Sequence, residues 1–136
     1  MLDCLVMGDS IAVGIGQNRP ECTTVARVGI TSKKWYETYK IKDKNYEQVV
    51  ISLGTNDFHN ITEKSLRKIR SEIKSQRVIW ILPSSTLKPE QRSVVLDIAR
   101  EYRDATVDIS GYLGYDHIHP TGRGYQDIAK ITRGMR

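Results

Sequence analysis

Short apolar runs alternate along the chain with segments of helical period. The runs are Leu2–Met7, Thr23–Val28, Gln48–Leu53, Val78–Leu82 and Thr106–Ile109, each closed by Gly, Pro or Ser. Brief, Val- and Ile-rich runs of this kind are what strands buried on both faces of a parallel sheet look like. Between them, Thr62–Ser75 puts Leu66, Ile69 and Ile73 on one face and Lys64, Arg67, Lys68 and Lys74 around the other. Thr62 and Ser65 are its candidate caps. Pro89–Arg103 spaces Val95, Ile98, Ala99 and Tyr102 as a helix does, with Pro89 suited to the first turn. Pro120–Arg133 carries Tyr125, Ile128 and Ala129, and Ser32–Lys44 is a weaker helix around Trp35, Tyr36 and Tyr39.

Five strands alternating with helices predict an α/β domain: a three-layer α/β/α sandwich with a five-stranded parallel sheet, flavodoxin-like in type. At 136 residues the chain reads as a single domain, 1–136, with no repeat, linker or low-complexity tract. Ligands of such sheets bind beyond the carboxyl ends of the strands, where strand order reverses. That turns sequence positions into a place. Ser10 follows the first run, Gly29 the second, Asn56 the third, and Asp116 to His119 the fifth, so all are expected on one edge.

An apolar content of 39% fits an ordinary globular protein. The formal charge of +5, from 21 Lys and Arg against 16 Asp and Glu, is mildly basic and spread along the chain. It favours solubility over a nucleic-acid interface. No stretch is long enough to span a membrane, and no signal peptide is apparent. A cytoplasmic protein, or one released without a recognisable signal, is the expectation. Cys4 reads as a buried thiol in the first strand; a bridge to Cys22 requires the two segments to be neighbours, which sequence leaves open.

The chemistry-bearing residues fit acyl transfer. That reaction needs a hydroxyl, a base, a group to orient the base and donors for an oxyanion. Ser10, in Gly8-Asp9-Ser10, supplies the hydroxyl, and His119 is the candidate base. Asp116, three residues before it, can orient the imidazole. The Asn56 amide, the Gly29 N–H and the Ser10 N–H at a helix start are candidate oxyanion donors. Asp9 reads as a structural acceptor rather than a catalytic acid, and Asp57 as a brace for its loop. His117 and His119 form His-x-His, but without further ligands at suitable spacing no metal is expected. His59 and His117 are candidates for the rim of the cleft. Gly14 and Gly16 match no phosphate-loop pattern, because position 19 is Arg19.

Taken in order, Gly8-Asp9-Ser10, Gly29, Gly54-Thr55-Asn56-Asp57 and Asp116-His117-Ile118-His119-Pro120 resemble the blocks of the SGNH (GDSL-type) esterase and lipase superfamily. The resemblance covers essentially the whole chain. It implies a Ser10–His119–Asp116 triad, an oxyanion hole of Ser10, Gly29 and Asn56, and no cofactor. Ile11-Ala12 replace the commoner Leu and small polar residue after the serine. The short chain leaves no room for a lid. Short acyl esters, notably acetyl groups on carbohydrate, are therefore the expected substrates. The alternatives are a lysophospholipase or thioesterase acting on longer chains, and a non-catalytic carbohydrate-binding or structural module that keeps the fold.

Overall fold

A computed structural model describes residues 3–39 and 45–135. Five parallel strands, β1 (Cys4–Gly8), β2 (Thr23–Ala26), β3 (Tyr46–Ser52), β4 (Ser75–Ile81) and β5 (Ala105–Val107), form one sheet in the order β2-β1-β3-β4-β5. The helices are α1 (Ser10–Gln17), α2 (Ser32–Thr38), α3 (His59–Ser71), α4 (Pro89–Tyr102) and α5 (Gly122–Gly134). Strand alternation divides the core. Leu5, Met7, Val49 and Ile51 pack with Trp35, Leu66, Ile69, Val95 and Ile98 of α2, α3 and α4. Val6, Val50, Ile79 and Ile81 pack with Ile11, Ile15 and Ile128 of α1 and α5. This is the predicted three-layer sandwich. Order reverses between β1 and β3, where Gly8 pairs with Ser52.

Several boundaries differ from the expectation. α3 begins at His59 and ends at Ser71, and β4 starts at Ser75 rather than Val78. Ser75 and Arg77 enter the ladder because they pair with Tyr46 and Gln48 of β3. Backbone pairing holds such polar flanks, which apolar runs do not mark. Thr62 caps nothing: it lies inside α3, with its hydroxyl donating to the Phe58 carbonyl at 3.2 Å. α2 closes at Thr38, with Tyr39 as its extended C-cap residue, and residues 40–44 of the predicted helix lie outside the described residues. Leu2, the predicted start of the first strand, lies outside them as well.

α1 begins at Ser10, where a helix start was expected, although its pattern is short and two glycines interrupt it. They are packing devices. A Cβ on Gly14 would lie 2.3 Å from the Tyr125 ring, and one on Gly16 would lie 2.3 Å from the Thr24 hydroxyl. α1 is thereby drawn tight between α5 and β2.

Cys4 is not a free thiol. It is bonded to Cys22, with Cα atoms 4.8 Å apart. Leu5 pairs with Thr23, so the residue before each stands beside the other at the amino edge of the sheet. No helix among the described residues is long and apolar enough to cross a membrane.

Candidate active site

Gly8 creates the turn that presents Ser10. Its φ of +141° is hostile to side chains, and a Cβ there would fall 1.8 Å from the Ser52 carbonyl oxygen. The next amide, Asp9 N–H, donates to that same carbonyl at 2.9 Å. Asp9 Oδ1 then accepts from Ile11 N–H and from Ser52 Oγ, both at 3.0 Å, and so caps α1. Ser10 is the first helical residue, and its own N–H therefore has no intrahelical acceptor. Asp9 is fully buried, and burial pushes its carboxyl up to about 7 although its hydrogen bonds pull downward. Its Oδ2 has no partner among the described residues.

His119 comes from a tight loop after β5. A 3-10 turn at Ser110–Tyr112 is followed by an antiparallel bridge between Leu113 and Pro120. Gly114 N–H donates to the His119 carbonyl at 2.9 Å, and His117 N–H donates to the Gly114 carbonyl at 3.1 Å. His117 takes φ +58° to complete the turn. Asp116 Oδ1 accepts the backbone N–H of Ile118 at 2.9 Å and of His119 at 2.8 Å. Its Oδ2 lies 2.6 Å from His119 Nδ1. The His119 backbone N–H, the His119 ring and the Ile118 N–H together hold the Asp116 carboxyl well below the usual range. Asp116 is therefore an acceptor only, which obliges Nδ1 to carry the ring proton. Nε2 is left as an acceptor, 2.8 Å from Ser10 Oγ. Residues 109 positions apart thus meet in one hydrogen-bonded relay.

Strand register brings Gly29 and Asn56 to the same edge. Gly8 pairs with both Ala26 and Ser52, so Gly29 and Asn56 follow partners level with the Ser10 turn. The Asn56 amide donates to the Ile30 carbonyl at 3.1 Å, which orients the group and leaves its second N–H uncommitted by that bond. Asp57 braces the same loops: Oδ1 accepts Ser32 N–H at 2.7 Å, and Oδ2 accepts the Ser32 hydroxyl. Gly29 takes φ +77°, and the space a Cβ would fill is open. Its need for glycine is conformational rather than a close approach within the protein.

His117 is exposed on the loop beside the relay. His59 opens α3, two residues beyond Asp57, but its side chain lies outside the described residues. The His-x-His pair belongs to no cluster of ligating side chains among the described residues; the one such cluster is Cys4, Glu21 and Cys22, at the opposite edge. Tyr125 escaped the sequence reading as a neighbour of the site. It packs on Gly14, and burial, with Asp9 and Asp116 nearby, pushes its hydroxyl up to about 12. Only its pairing with a glycine on a facing helix could have signalled this.

No family model matches the chain, and no curated protein matches it. Solved structures do. A protein assigned to the G-D-S-L lipolytic family from Desulfitobacterium hafniense DCB-2 aligns over 98% of this chain and 99% of its own, with TM-score 0.65 and 14% identity. One assigned as an arylesterase from Agrobacterium tumefaciens str. C58 aligns over 96% of each chain, with TM-score 0.62 and 12% identity. The C-terminal catalytic domain of Streptococcus pneumoniae peptidoglycan O-acetyltransferase A, solved with a methylsulfonyl adduct, aligns over 98% of this chain and 93% of its own, with TM-score 0.63 and 17% identity. At these identities the likeness establishes a shared fold over the whole chain.

Proposed function

We propose that the protein is a serine esterase of the SGNH (GDSL) type. The observation that carries this reading is the continuous relay Ser10 Oγ···His119 Nε2 at 2.8 Å and His119 Nδ1···Asp116 Oδ2 at 2.6 Å. Ser10 Oγ attacks the ester carbonyl while His119 Nε2 takes its proton. Asp116 stabilises the resulting imidazolium. The oxyanion is received by the N–H groups of Ser10 and Gly29 and the free N–H of Asn56. His119 then protonates the departing alcohol. Water, activated by the same ring, attacks the acyl-Ser10 ester, releases the acid and restores the hydroxyl. No cofactor takes part. The Asp116 carboxyl, held well below the usual range, stays an ionised acceptor for the His119 ring throughout the working range.

Short acyl groups, acetyl above all, on a small-molecule or carbohydrate alcohol are the proposed substrates. Two facts support them. The His119 and Asp116 side chains remain 43% and 51% exposed, leaving the site open to a bulky alcohol. A fold neighbour is a peptidoglycan O-acetyltransferase domain. One observation favours longer acyl chains instead. Val28, Phe58, Leu87 and Tyr115 are 72%, 76%, 51% and 101% exposed, one on each loop after β2, β3, β4 and β5. This is apolar surface that chain length alone did not foretell.

A fluorophosphonate probe tests the mechanism. Covalent mass should appear on Ser10, and an inert Ser10 would return the chain to a binding module. A series of p-nitrophenyl esters tests the substrate class. A rate maximum at acetate or propionate is expected, while a maximum at long chains would favour the second reading.

A further inference from the structure

The amino edge of the sheet, opposite Ser10, holds a second set of reactive and charged groups that the proposed reaction does not use. Cys4 opens β1 and Cys22 immediately precedes β2, and their sulfurs are bonded. Beside them Arg19, from the connection between α1 and β2, has no exposed surface. Its Nε donates to Glu21 Oε2 at 3.0 Å, and its Nη1 donates to the Gln48 side-chain carbonyl and, at 3.4 Å, to Thr132 Oγ1. Its Nη2 points at Cys4 Sγ, 3.8 Å away. Glu21 also receives Arg133, whose Nε and Nη2 lie 2.9 and 3.1 Å from its carboxylate. Two guanidinium groups thus face one carboxylate next to the disulfide. The excess positive charge, with one N–H already aimed at Cys4 Sγ, favours an anion on that sulfur.

We propose that Cys4–Cys22 is a thiol-exchange site of fixed polarity, in which an incoming thiolate bonds to Cys22 and Cys4 departs facing Arg19. The chemical class of the partner is a low-molecular-weight thiol. Its thiolate lone pair forms a bond to Cys22 Sγ as the Cys4–Cys22 bond breaks, and the bonding pair leaves on Cys4 Sγ as a thiolate. The product is a mixed disulfide at Cys22. A second thiolate attacks the partner's sulfur in that mixed disulfide. Cys22 is released as a thiolate, and the two partner thiols leave joined as a disulfide. The protein cystine gains two electrons, and the two thiols lose them.

Two features fix the direction. Cys22 is partly exposed while Cys4 is 1% exposed, and only Cys4 has the buried guanidinium against its sulfur. Leaving-group stabilisation and access therefore act together. The same arrangement opposes a metal. Cys4, Glu21 and Cys22 could bring three ligand atoms within 4.8 Å of one another, but a dication there would meet Arg19.

The test treats the intact, oxidised protein with millimolar reduced glutathione, quenches with acid and maps adducts by mass spectrometry. Glutathione is expected on Cys22 at more than tenfold excess over Cys4. Equal labelling, or an excess on Cys4, overturns the proposal. A second measurement separates charge from access, using short-wavelength thiolate absorbance of Cys22→Ser at neutral pH. Cys4 should absorb as a thiolate there, and Arg19→Gln in the same background should lower the signal at least threefold. A protonated Cys4 in Cys22→Ser overturns the proposal even if the Arg19 variant does not fold. Stoichiometric zinc binding by the reduced wild type overturns it as well.

Discussion

At the carboxyl edge, His119 and Asp116 keep about half of their side-chain surface in water; at the amino edge, Arg19 keeps none. Both edges assemble polar groups from distant parts of the chain, yet they do so for different ends. Among the described residues, the carboxyl edge leaves hydrogen-bonding capacity unspent: the second N–H of Asn56, the N–H of Ser10, the open space over Gly29. The amino edge spends nearly all of it. Arg19, Gln48 and Thr132 are buried and mutually bonded, and Gln48 also donates to the carbonyls of Thr132 and Met135. Unfilled donors beside solvent can receive a transition state, whereas filled donors in a dry interior tie the α1–β2 connection, β3 and α5 together. Substitutions at the first edge should change rates, and substitutions at the second should change stability.

The largest expected effect is at Ser10. Ser10→Ala should lower p-nitrophenyl acetate hydrolysis by about 10⁴-fold or more, with circular dichroism and melting unchanged. Residual turnover near the wild-type level would end the nucleophile assignment. Asn56→Ala should follow with a loss of ~10²–10³ in kcat while remaining folded. If kcat held and only KM rose, Asn56 would belong to substrate binding instead.

Stability effects come next, at the other edge. Arg19→Met leaves the buried Gln48 side-chain carbonyl without its donor, while Glu21 keeps Arg133, and should cost about 1–3 kcal/mol in urea unfolding. Reducing Cys4–Cys22, which spans 18 positions, should cost about 3 kcal/mol by chain entropy. In either case esterase activity per folded molecule should persist. A loss of activity without unfolding would mean that the two edges are coupled.

The last expected effect, a slope against pH rather than a fixed loss, joins the comparison at its centre, since Asp9 is a buried carboxyl behind the open site. Its folded pKa is raised to about 7 from 3.8. Between those values the unfolded chain has lost the proton while the folded one retains it. Asp9 therefore contributes stability that is complete below about pH 4 and lost as pH rises to about 7. Asp9→Asn should remove that slope. Urea midpoints for the two proteins that run parallel across this window would show that Asp9 does not titrate there.

The fold was largely legible because a buried parallel strand has to be a continuous apolar run. Val49-Val50-Ile51 and Val78-Ile79-Trp80-Ile81 announce themselves. Ser75 to Arg77, held by pairing with β3, do not. The site residues were legible as types in order: Ser10 follows β1, Asn56 follows β3, and Asp116 and His119 both follow β5. The Asp9–Ser52 bond, the hold of Ile30 on Asn56 and the packing of Tyr125 on Gly14 were not, because each joins residues that share no local pattern.

Sequence by itself determined the strand and helix alternation, the edge on which the chemistry had to gather, and the side chains available there. Those properties are local, set by side-chain period and by the residue that ends each strand. Tertiary structure alone decided that Cys4 meets Cys22, that Arg19 is sealed against them, and that His119 presents Nε2 to Ser10. Each depends on the register of strands or the closure of a loop. Register and loop closure are set by the packing of the whole domain, and no single stretch of chain contains that information.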